Sequence, residues 1–217
     1  MTTAIVLLSG GQDSATCLAI AQTEVDTLHC VGFNYGQRHL IELQAARTLA
    51  NLAKATYQEV DIRFLKGLSD SALVNSSMPI TSKEGTLPST FVPGRNALFL
   101  TIAGMIAYEK RAKFIYTGVC QTDYSGYPDC RESFIFSQQQ TINAAMETNL
   151  IIKTPLMQLT KAETVLKMNS LNRLAWYAST HTCYEGKTPA CGKCPACLLR
   201  LKGFNQANIK DPIPYEN

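Results

Sequence analysis

The sequence has little charge, one tryptophan and no long apolar run. Only 17% of its 217 residues are charged and the formal net charge is +3, which is weak for a protein whose main partner is a nucleic acid. No segment approaches the roughly 18–20 apolar residues that a membrane-spanning helix needs. The N-terminus has neither the basic start nor the cleavage site of a secretory signal peptide. We therefore expect a cytoplasmic protein with no nucleic-acid and no membrane partner.

Cysteine, by contrast, is abundant. Four of the eight cysteines are scattered, whereas Cys183, Cys191, Cys194 and Cys197 crowd into fifteen positions. In a reducing compartment such a cluster is typical of a metal site. Four thiolates are what tetrahedral zinc needs, so we predict one structural Zn²⁺ per chain. An iron–sulfur cluster or a redox C-x-x-C pair could use the same thiols, and His181 is expected to be a loop residue or an outer partner rather than a ligand.

Strand-like and helix-like stretches alternate along most of the chain, which predicts an α/β fold: an open parallel sheet with helices on both faces. The ligand crevice of such a sheet lies at the carboxyl ends of its strands. We expect an ATP-binding domain over residues 1–175, with an irregular insertion at 66–93, and a zinc-binding segment over 176–217. The predicted strands are residues 4–8, 27–33, 57–62, 114–117 and 150–153. The predicted helices are residues 14–22, 41–54, 97–110, 132–147 and a last one from a capping box at Thr160 to about Leu171. The apolar positions of the second helix are Ile41, Ala45, Leu49 and Leu52, and Asn96 is expected to cap the third.

The segment Ser-Gly-Gly-Gln-Asp-Ser, residues 9–14, joins the first predicted strand to the first helix. Two glycines allow a tight turn that presents backbone amides, and the helix start adds a positive dipole end, so the segment suits a phosphate group. Asp13 would repel a bare phosphate, and its presence predicts a bound Mg²⁺. Taken alone, the same turn is equally compatible with a purely structural role. The residues predicted to bind ATP are Leu8, Ser9, Gly10, Gly11, Gln12, Asp13 and Ser14.

Three further polar loops, at residues 34–39, 91–96 and 118–131, are predicted to lie at the same edge of the sheet. Arginines can hold phosphate or carboxylate groups, tyrosines can stack on flat heterocycles, and carboxylates can accept from the N–H edge of a purine-like base. Each loop by itself is more often an ordinary solvated connection. The predicted substrate-binding residues are Tyr35, Gln37, Arg38, Arg95, Asn96, Asp123, Tyr124, Tyr127 and Asp129. The predicted catalytic residues are Asp13, Arg38, Arg95, Asp123 and Arg131, with His39 and Asp123 as candidates for a general base.

The segment at residues 9–14 resembles the loop of the ATP pyrophosphatases, which cleave ATP between its α and β phosphates. Six segments together resemble the 7-cyano-7-deazaguanine (preQ0) synthase family: SGGQDSATCL, FNYGQRH, TFVPGRNALFL, TGVCQTDYSGYPDCR, TPLMQLTKAET and TCY…CGKCPACLLRLKGF. They occur between Ser9 and Phe204. This resemblance implies an adenine nucleotide alpha hydrolase-like fold and an ATP-dependent ligase of queuosine biosynthesis. Such an enzyme converts 7-carboxy-7-deazaguanine and ammonia to the nitrile through an adenylated carboxylate and an amide. Similar enzymes form homodimers.

Two other functions are compatible with parts of the sequence. A tRNA-thiolating or lysidine-forming enzyme would share the phosphate loop, but predicts an added RNA-binding domain or a catalytic cysteine pair in the α/β core. A nucleic-acid-binding zinc ribbon without enzymatic activity would use basic residues near the cysteines. The candidates for that role are Lys187, Lys193, Arg200 and Lys202.

Overall fold

The fold is that of a computed structural model, which describes residues 1–37, 39–75, 77–81, 87–121 and 127–216. The predicted α/β fold is confirmed, and all five predicted strands and five predicted helices are present within two residues of their expected bounds. The strands are β1 (Thr3–Leu7), β2 (Thr27–Asn34), β3 (Thr56–Asp61), β4 (Phe114–Tyr116) and β5 (Ile151–Lys153). The helices are α1 (Gln12–Glu24), α2 (Ile41–Leu52), α3 (Arg95–Glu109), α4 (Glu132–Met146), α5 (Lys161–Ser170) and α6 (Pro195–Gln206). Short 3-10 helices span Arg63–Gly67, Pro128–Cys130 and Leu174–Ser179.

The five strands form one parallel sheet in the order β3-β2-β1-β4-β5. Successive side chains of the central strand β1 point to opposite faces, so Ala4 and Val6 join one buried cluster and Ile5 joins the other. Helices α1, α2, α5 and α6 contribute to the first cluster, and α3 and α4 to the second. Because the chain crosses from β1 to β2 on one side and later from β3 to β4 on the other, the loops after β1 and β4 separate at the carboxyl edge and leave a crevice there.

Helix α2 faces the sheet with residues other than those that the periodicity indicated. The expected apolar positions were Ile41, Ala45, Leu49 and Leu52, of which only Leu49 is buried and Leu52 is exposed. The helix instead buries a stripe that includes two alanines. The small side chains of these alanines allow α2 to approach the loop after β1 closely. This close packing stabilises the helix more than burial of the larger Leu52 side chain at its C-terminal end would. The buried residues are Leu43, Ala46, Leu49 and Ala50.

Residues 66–93 are irregular, as predicted, and the described part of this segment after Gly67 contains no α-helix or strand. The segment is nevertheless packed on the body of the protein, because Ala72, Val74 and Val92 are buried. The Ala72 amide and the Ser71 hydroxyl both donate to the Ser89 carbonyl, at 2.8 and 3.1 Å. The two halves of the segment are thereby tied together above α3.

The C-terminal part contains a helix that the sequence did not predict. Pro195 is the first residue of α6, a position where the missing N–H of proline has no partner to lose. Gly203 of α6 lies so close to α5 that a Cβ would come within 2.6 Å of the Lys161 Cβ. Phe204 is buried edge-on against Tyr177, with ring centroids 5.5 Å apart. No helix in the described residues is long and apolar enough to cross a membrane.

Candidate active site and metal centre

The loop after β1 leads directly into α1. The residue just before the helix, the N-cap residue Gly11, has an extended backbone conformation. The Ser14 hydroxyl donates to the Gly11 carbonyl at 3.0 Å and lies 3.1 Å from the Ser9 hydroxyl. No described side chain caps the helix, so its first amide groups are available to a ligand. Free amides and a positive dipole end together suit an anion such as a phosphate.

Gly10, in the same loop, is important for packing against α2. Its φ of +90° lies in the region that favours glycine, and a Cβ there would come within 2.1 Å of the Glu42 carbonyl oxygen. The Gly10 carbonyl accepts from the His181 amide at 2.9 Å. Gly10 does not line the cavity described below, so its geometry supports the close approach of α2, and its predicted contact with ATP stays a prediction.

Only one of the two carboxylate oxygens of Asp13, in the first turn of α1, has a hydrogen-bond partner among the described residues. Its Oδ2 atom accepts from Lys161 Nζ at 2.5 Å. Its Oδ1 atom is buried and has no hydrogen-bond partner among the described residues. An unpaired buried carboxylate oxygen is costly unless a ligand satisfies it, and a hard cation is a suitable ligand.

A cavity of about 350 Å³ opens at the carboxyl ends of β1, β2 and β4, within the range of small-molecule sites. It lies where the topology predicted a crevice. Most of the sequence-predicted site residues that the structure describes are brought together in its walls: Leu8, Ser9, Gly11, Gln12, Asp13, Ser14, Tyr35, Gln37, Arg95, Asn96 and Tyr127.

Arg95, the first residue of α3, is the main positive charge of the cavity wall near β2. Its guanidinium lies 5.4 Å from the Tyr35 ring and 5.6 Å from the Phe99 ring. One Nη donates weakly to the Tyr35 hydroxyl at 3.4 Å, whereas Nε is buried without a partner in the described residues. Burial lowers the pKa of Arg95, but nearby Tyr35, Tyr127 and Asp129 together raise that pKa above its ordinary value. The arginine therefore stays charged and can receive an anionic or oxygen-rich group.

Tyr127 and Gln37 also line the cavity. The Tyr127 hydroxyl lies 2.5 Å from Thr90 Oγ1, and its ring packs at 5.6 Å against Phe91. The side-chain oxygen of Gln37 accepts from the backbone amide of Tyr35 at 2.9 Å, and its side-chain nitrogen donates to the Phe33 carbonyl at 3.2 Å. Gln37 therefore shapes the turn after β2, and a direct contact of Gln37 with substrate stays a prediction.

Asp129 and Asn96 are bonded to each other rather than displayed to a ligand. The Asp129 carboxylate accepts from the Asn96 amide at 3.1 Å, and the Asn96 side chain donates to the Asp129 carbonyl at the same distance. The expectation that Asn96 caps α3 is wrong, because Gly94 in the left-handed conformation precedes the helix. Asp129 does not line the cavity, and neither does Arg131, which is exposed at the start of α4. Arg38, Asp123 and Tyr124 lie outside the described residues.

Several cavity residues were not predicted from the sequence: Glu42, Phe99, Tyr184 and Lys161. Burial raises the pKa of Glu42 to about 7, although the positive charge of Arg95 opposes this rise. A carboxylate in the first turn of a helix is so common on protein surfaces that nothing in the local pattern marks Glu42. Lys161 stands in the capping-box segment, whose confirmed role is the start of α5.

The four clustered cysteines converge as the spacing predicted. Their Sγ atoms all lie within 4.8 Å of one another, and Cys191 and Cys197 are 3.9 Å apart. Metal–sulfur bonds of about 2.3 Å in a tetrahedron separate the sulfurs by roughly 3.8 Å, so the donor set fits a metal ion. Burial raises the pKa of Cys191, but the amides of Lys193 and Cys194 donate to its sulfur and bring that pKa down to about 7.

His181 connects the two sites. Its backbone amide donates to the Gly10 carbonyl, and its ring Nε2 lies 3.1 Å from the Cys183 carbonyl. It is not part of the converging sulfur set, in agreement with its expected role as an outer partner. Burial lowers the pKa of His181. The cysteine cluster thus holds the phosphate loop from behind.

Arg200, a candidate for nucleic-acid contact, is not on the surface. Its guanidinium is buried and forms two parallel hydrogen bonds to Asp211, at 2.7 and 2.8 Å. The remaining donors reach Thr180, Thr182 and the Tyr177 carbonyl, at 2.7 to 3.3 Å. This interior pairing removes Arg200 from any surface that could face a nucleic acid.

Comparisons with known proteins agree with the resemblance seen in the sequence. A family model described as queuosine biosynthesis protein QueC matches residues 3–208. A 7-cyano-7-deazaguanine synthase from Laribacter hongkongensis (strain HLHK9) is 46% identical over 213 residues, which cover 97% of this chain and 93% of that protein.

Two solved structures share the fold. One is a predicted subunit of tRNA methyltransferase from Methanocaldococcus jannaschii, with 19% identity and a TM-score of 0.52 over 78% of this chain and 75% of that one. The other is a 4-thiouridine synthetase in complex with RNA and bound ATP, with 18% identity and a TM-score of 0.53. That match covers 95% of this chain and 50% of the synthetase. At these identities the likeness concerns the fold alone.

Proposed function

The chain belongs to the queuosine biosynthesis protein QueC family, and from this premise we propose that it is an ATP-dependent carbon–nitrogen ligase. It converts 7-carboxy-7-deazaguanine and ammonia to 7-cyano-7-deazaguanine. The observation that carries the proposal is a single cavity in which buried polar groups have no partner. Asp13 Oδ1 and Arg95 Nε line it without a hydrogen bond from the described residues, beside the free amides of α1. ATP and an anionic, flat heterocycle supply what these groups lack.

The residues support a two-stage reaction. An oxygen of the substrate carboxylate attacks the α-phosphorus of ATP, and the bond to the β-phosphate oxygen breaks. The α1 amides with Ser9 and Ser14 hold the departing pyrophosphate, and Lys161 adds positive charge beside Asp13. Ammonia then attacks the acyl carbon, loses a proton and expels AMP, which leaves the amide. A second ATP activates the amide oxygen in the same way, and loss of AMP and two protons yields the nitrile.

Two metal ions fit the donor sets. The unpaired Asp13 Oδ1 is the atom that would hold Mg²⁺, which neutralises charge on the phosphates when bound. The four convergent thiols of Cys183, Cys191, Cys194 and Cys197 would hold Zn²⁺ in a closed, structural site. With four protein ligands that site has no open position, so the chemistry belongs to the cavity.

The cellular setting follows from the same family membership. We expect a cytoplasmic homodimer that acts on small molecules and takes no nucleic acid as substrate. Exposed apolar side chains on adjacent helices α3 and α4 are available for self-association: Met105, Tyr108 and Phe136. Sedimentation measurements should give the mass of two chains, and a mass of one chain would contradict the dimer.

A reaction assay tests the proposed activity. Purified protein with ATP, Mg²⁺, ammonium and 7-carboxy-7-deazaguanine should form the nitrile and release AMP and pyrophosphate in equal amounts. Omission of the deazapurine should stop ATP consumption. Persistent ATP cleavage without it, or no nitrile by mass spectrometry, would refute the assignment. Transfer RNA in place of the deazapurine serves as the control for an RNA-modifying activity and should give no turnover.

A further inference from the structure

Glu42 is the second residue of α2, and its side chain is partly buried. It lines the cavity that holds the phosphate loop. Its position is set by Gly10, because the absence of a Cβ there lets the first turn of α2 rest directly on the loop after β1. Because this position is tightly packed, Glu42 differs from the ordinary solvent-exposed acidic residue in the first turn of a helix.

Glu42 and Arg95 line the same cavity, are both partly buried and carry opposite charges, yet no ion pair or hydrogen bond joins them. Arg95 even leaves its Nε without a partner in the described part of the chain. Buried opposite charges gain most by pairing directly, and each is unfavourable when left alone. Two such groups that line one cavity without pairing are arranged for a molecule that contacts both.

The walls and the two charges define that molecule. Tyr35, Phe99 and Tyr184 line the cavity with aromatic surface, which favours a flat ring. A carboxylate accepts two adjacent N–H donors, and a guanidinium donates to adjacent oxygens. A guanine-like ring carries N1–H and a 2-amino group on one side. In a 7-carboxy-7-deazaguanine, O6 and the carboxylate lie on the other side.

Resting on the proposed function, we infer that Glu42 is the specificity-determining acceptor that receives N1–H and the 2-amino group of the 7-deazaguanine ring. Adenine offers an acceptor at N1, so the same carboxylate repels the base of ATP from this position. Among the described carboxylates that line the cavity, Asp13 is paired with Lys161 beside the phosphate loop. Asp129, the carboxylate predicted for this task, instead accepts from the Asn96 amide outside the cavity lining.

The test compares the substrate with its analogue that lacks the 2-amino group, in the wild-type protein and in Glu42→Gln. The KM for 7-carboxy-7-deazaguanine should rise roughly 10- to 100-fold in the variant, the effect of losing a charged hydrogen-bond acceptor, while the KM values for ATP and ammonium stay unchanged. The wild type should discriminate against the analogue, and the variant should lose most of that discrimination. Glu59→Gln, a carboxylate of β3 paired with Arg47 outside the cavity, should change none of these values.

Folding and function are separated by a second readout. Because the Glu42 carboxylate is buried without a described partner, Glu42→Gln should keep or raise the melting temperature at pH 8, whereas loss of a structural residue would lower it. Equal wild-type affinity for substrate and analogue in calorimetry would overturn the inference without any variant. A rise in the ammonium KM alone would overturn it too. If the wild type binds both ligands unequally but forms no nitrile, the proposed function fails and the assignment of Glu42 stands.

Discussion

Arg95, which is partly buried, and Arg200, which is fully buried, have nearly the same aromatic surroundings and opposite hydrogen bonding. Arg95 lies 5.4 and 5.6 Å from the rings of Tyr35 and Phe99, and Arg200 lies 5.8 and 5.3 Å from those of Tyr177 and Phe204. All the nitrogens of Arg200 donate to protein groups, whereas within the described part of the chain Arg95 has one long hydrogen bond and an unpaired Nε.

The difference separates a structural site from a functional one. Native proteins satisfy most of their buried polar groups, so unpaired groups that line a cavity, such as Asp13 Oδ1 and Arg95 Nε among the described residues, point to a ligand. In the C-terminal segment the four thiols converge on one point, and Arg200 with Asp211 ties the tail to the residues before Cys183. In the cavity, Arg95 Nε and Asp13 Oδ1 have no partner among the described residues and Glu42 does not pair with Arg95, as the proposed binding of substrates requires.

The largest effect should follow removal of the metal from the cysteine cluster. Structural zinc in small peptides contributes on the order of 10 kcal/mol to folding, and here the cluster also supports His181 behind the phosphate loop. Cys194→Ser should therefore lower the melting temperature sharply and abolish activity. Metal analysis should find about one zinc per chain in the wild type. The buried core cysteine Cys17, changed to Ala, serves as control and should retain the zinc, and a metal content dominated by iron would contradict the assignment.

Arg200→Met should destabilise the protein by about 3–5 kcal/mol, because it leaves the Asp211 carboxylate buried and uncompensated. Chemical denaturation with a fluorescence readout measures the change. Arg95→Met is the matched variant: it should leave the free energy of unfolding nearly unchanged while it eliminates most nitrile formation. Equal losses of stability in the two variants would remove the distinction between the two arginines.

Asp13→Asn should reduce the rate of pyrophosphate release by roughly 10²–10³-fold, the size expected when one charged group that stabilises a transition state is lost. The amide keeps the shape of the side chain but weakens the contact with Lys161 and the capacity to bind a cation. Asp26→Asn is the control, since Asp26 is exposed and its carboxylate accepts from the Thr2 amide, away from the cavity. An Asp13→Asn enzyme with wild-type turnover and wild-type Mg²⁺ dependence would remove the metal role from this residue.

The smallest expected effect is the pH dependence of stability that Glu42 introduces. Burial raises its pKa in the folded protein from 4.5 to about 7, so the folded state holds the proton more tightly than the unfolded state. Its contribution to the free energy of unfolding is therefore complete below pH 4.5 and is lost as the pH rises to about 7. The loss is at most about 3 kcal/mol at 1.36 kcal/mol per unit. Denaturation curves of the wild type and Glu42→Gln should diverge over this range in favour of the variant, and parallel curves would contradict the burial of a titrating carboxyl.

Local patterns predicted most of the fold because local physics decides it. Short apolar runs such as β1 can only be buried strands, and Thr160 with Glu163 forms the expected reciprocal cap of α5. The spacing of the cysteines was sufficient to predict their convergence. The buried face of α2 and the start of α6 at Pro195 were missed, because both depend on contacts with parts of the chain that are distant in sequence.

The sequence by itself determined the α/β fold, the turn at residues 9–14 between β1 and α1 and the convergence of the four thiols, since each follows from the order of residues within a short segment. Only the tertiary structure decided which buried charges are satisfied. It paired Arg200 with Asp211 and Asp13 with Lys161, and it placed Glu42 and Arg95 in the wall of one cavity without pairing them. The physical reason is that a hydrogen bond or ion pair depends on distances of a few ångströms between segments whose separation along the chain carries no information about them.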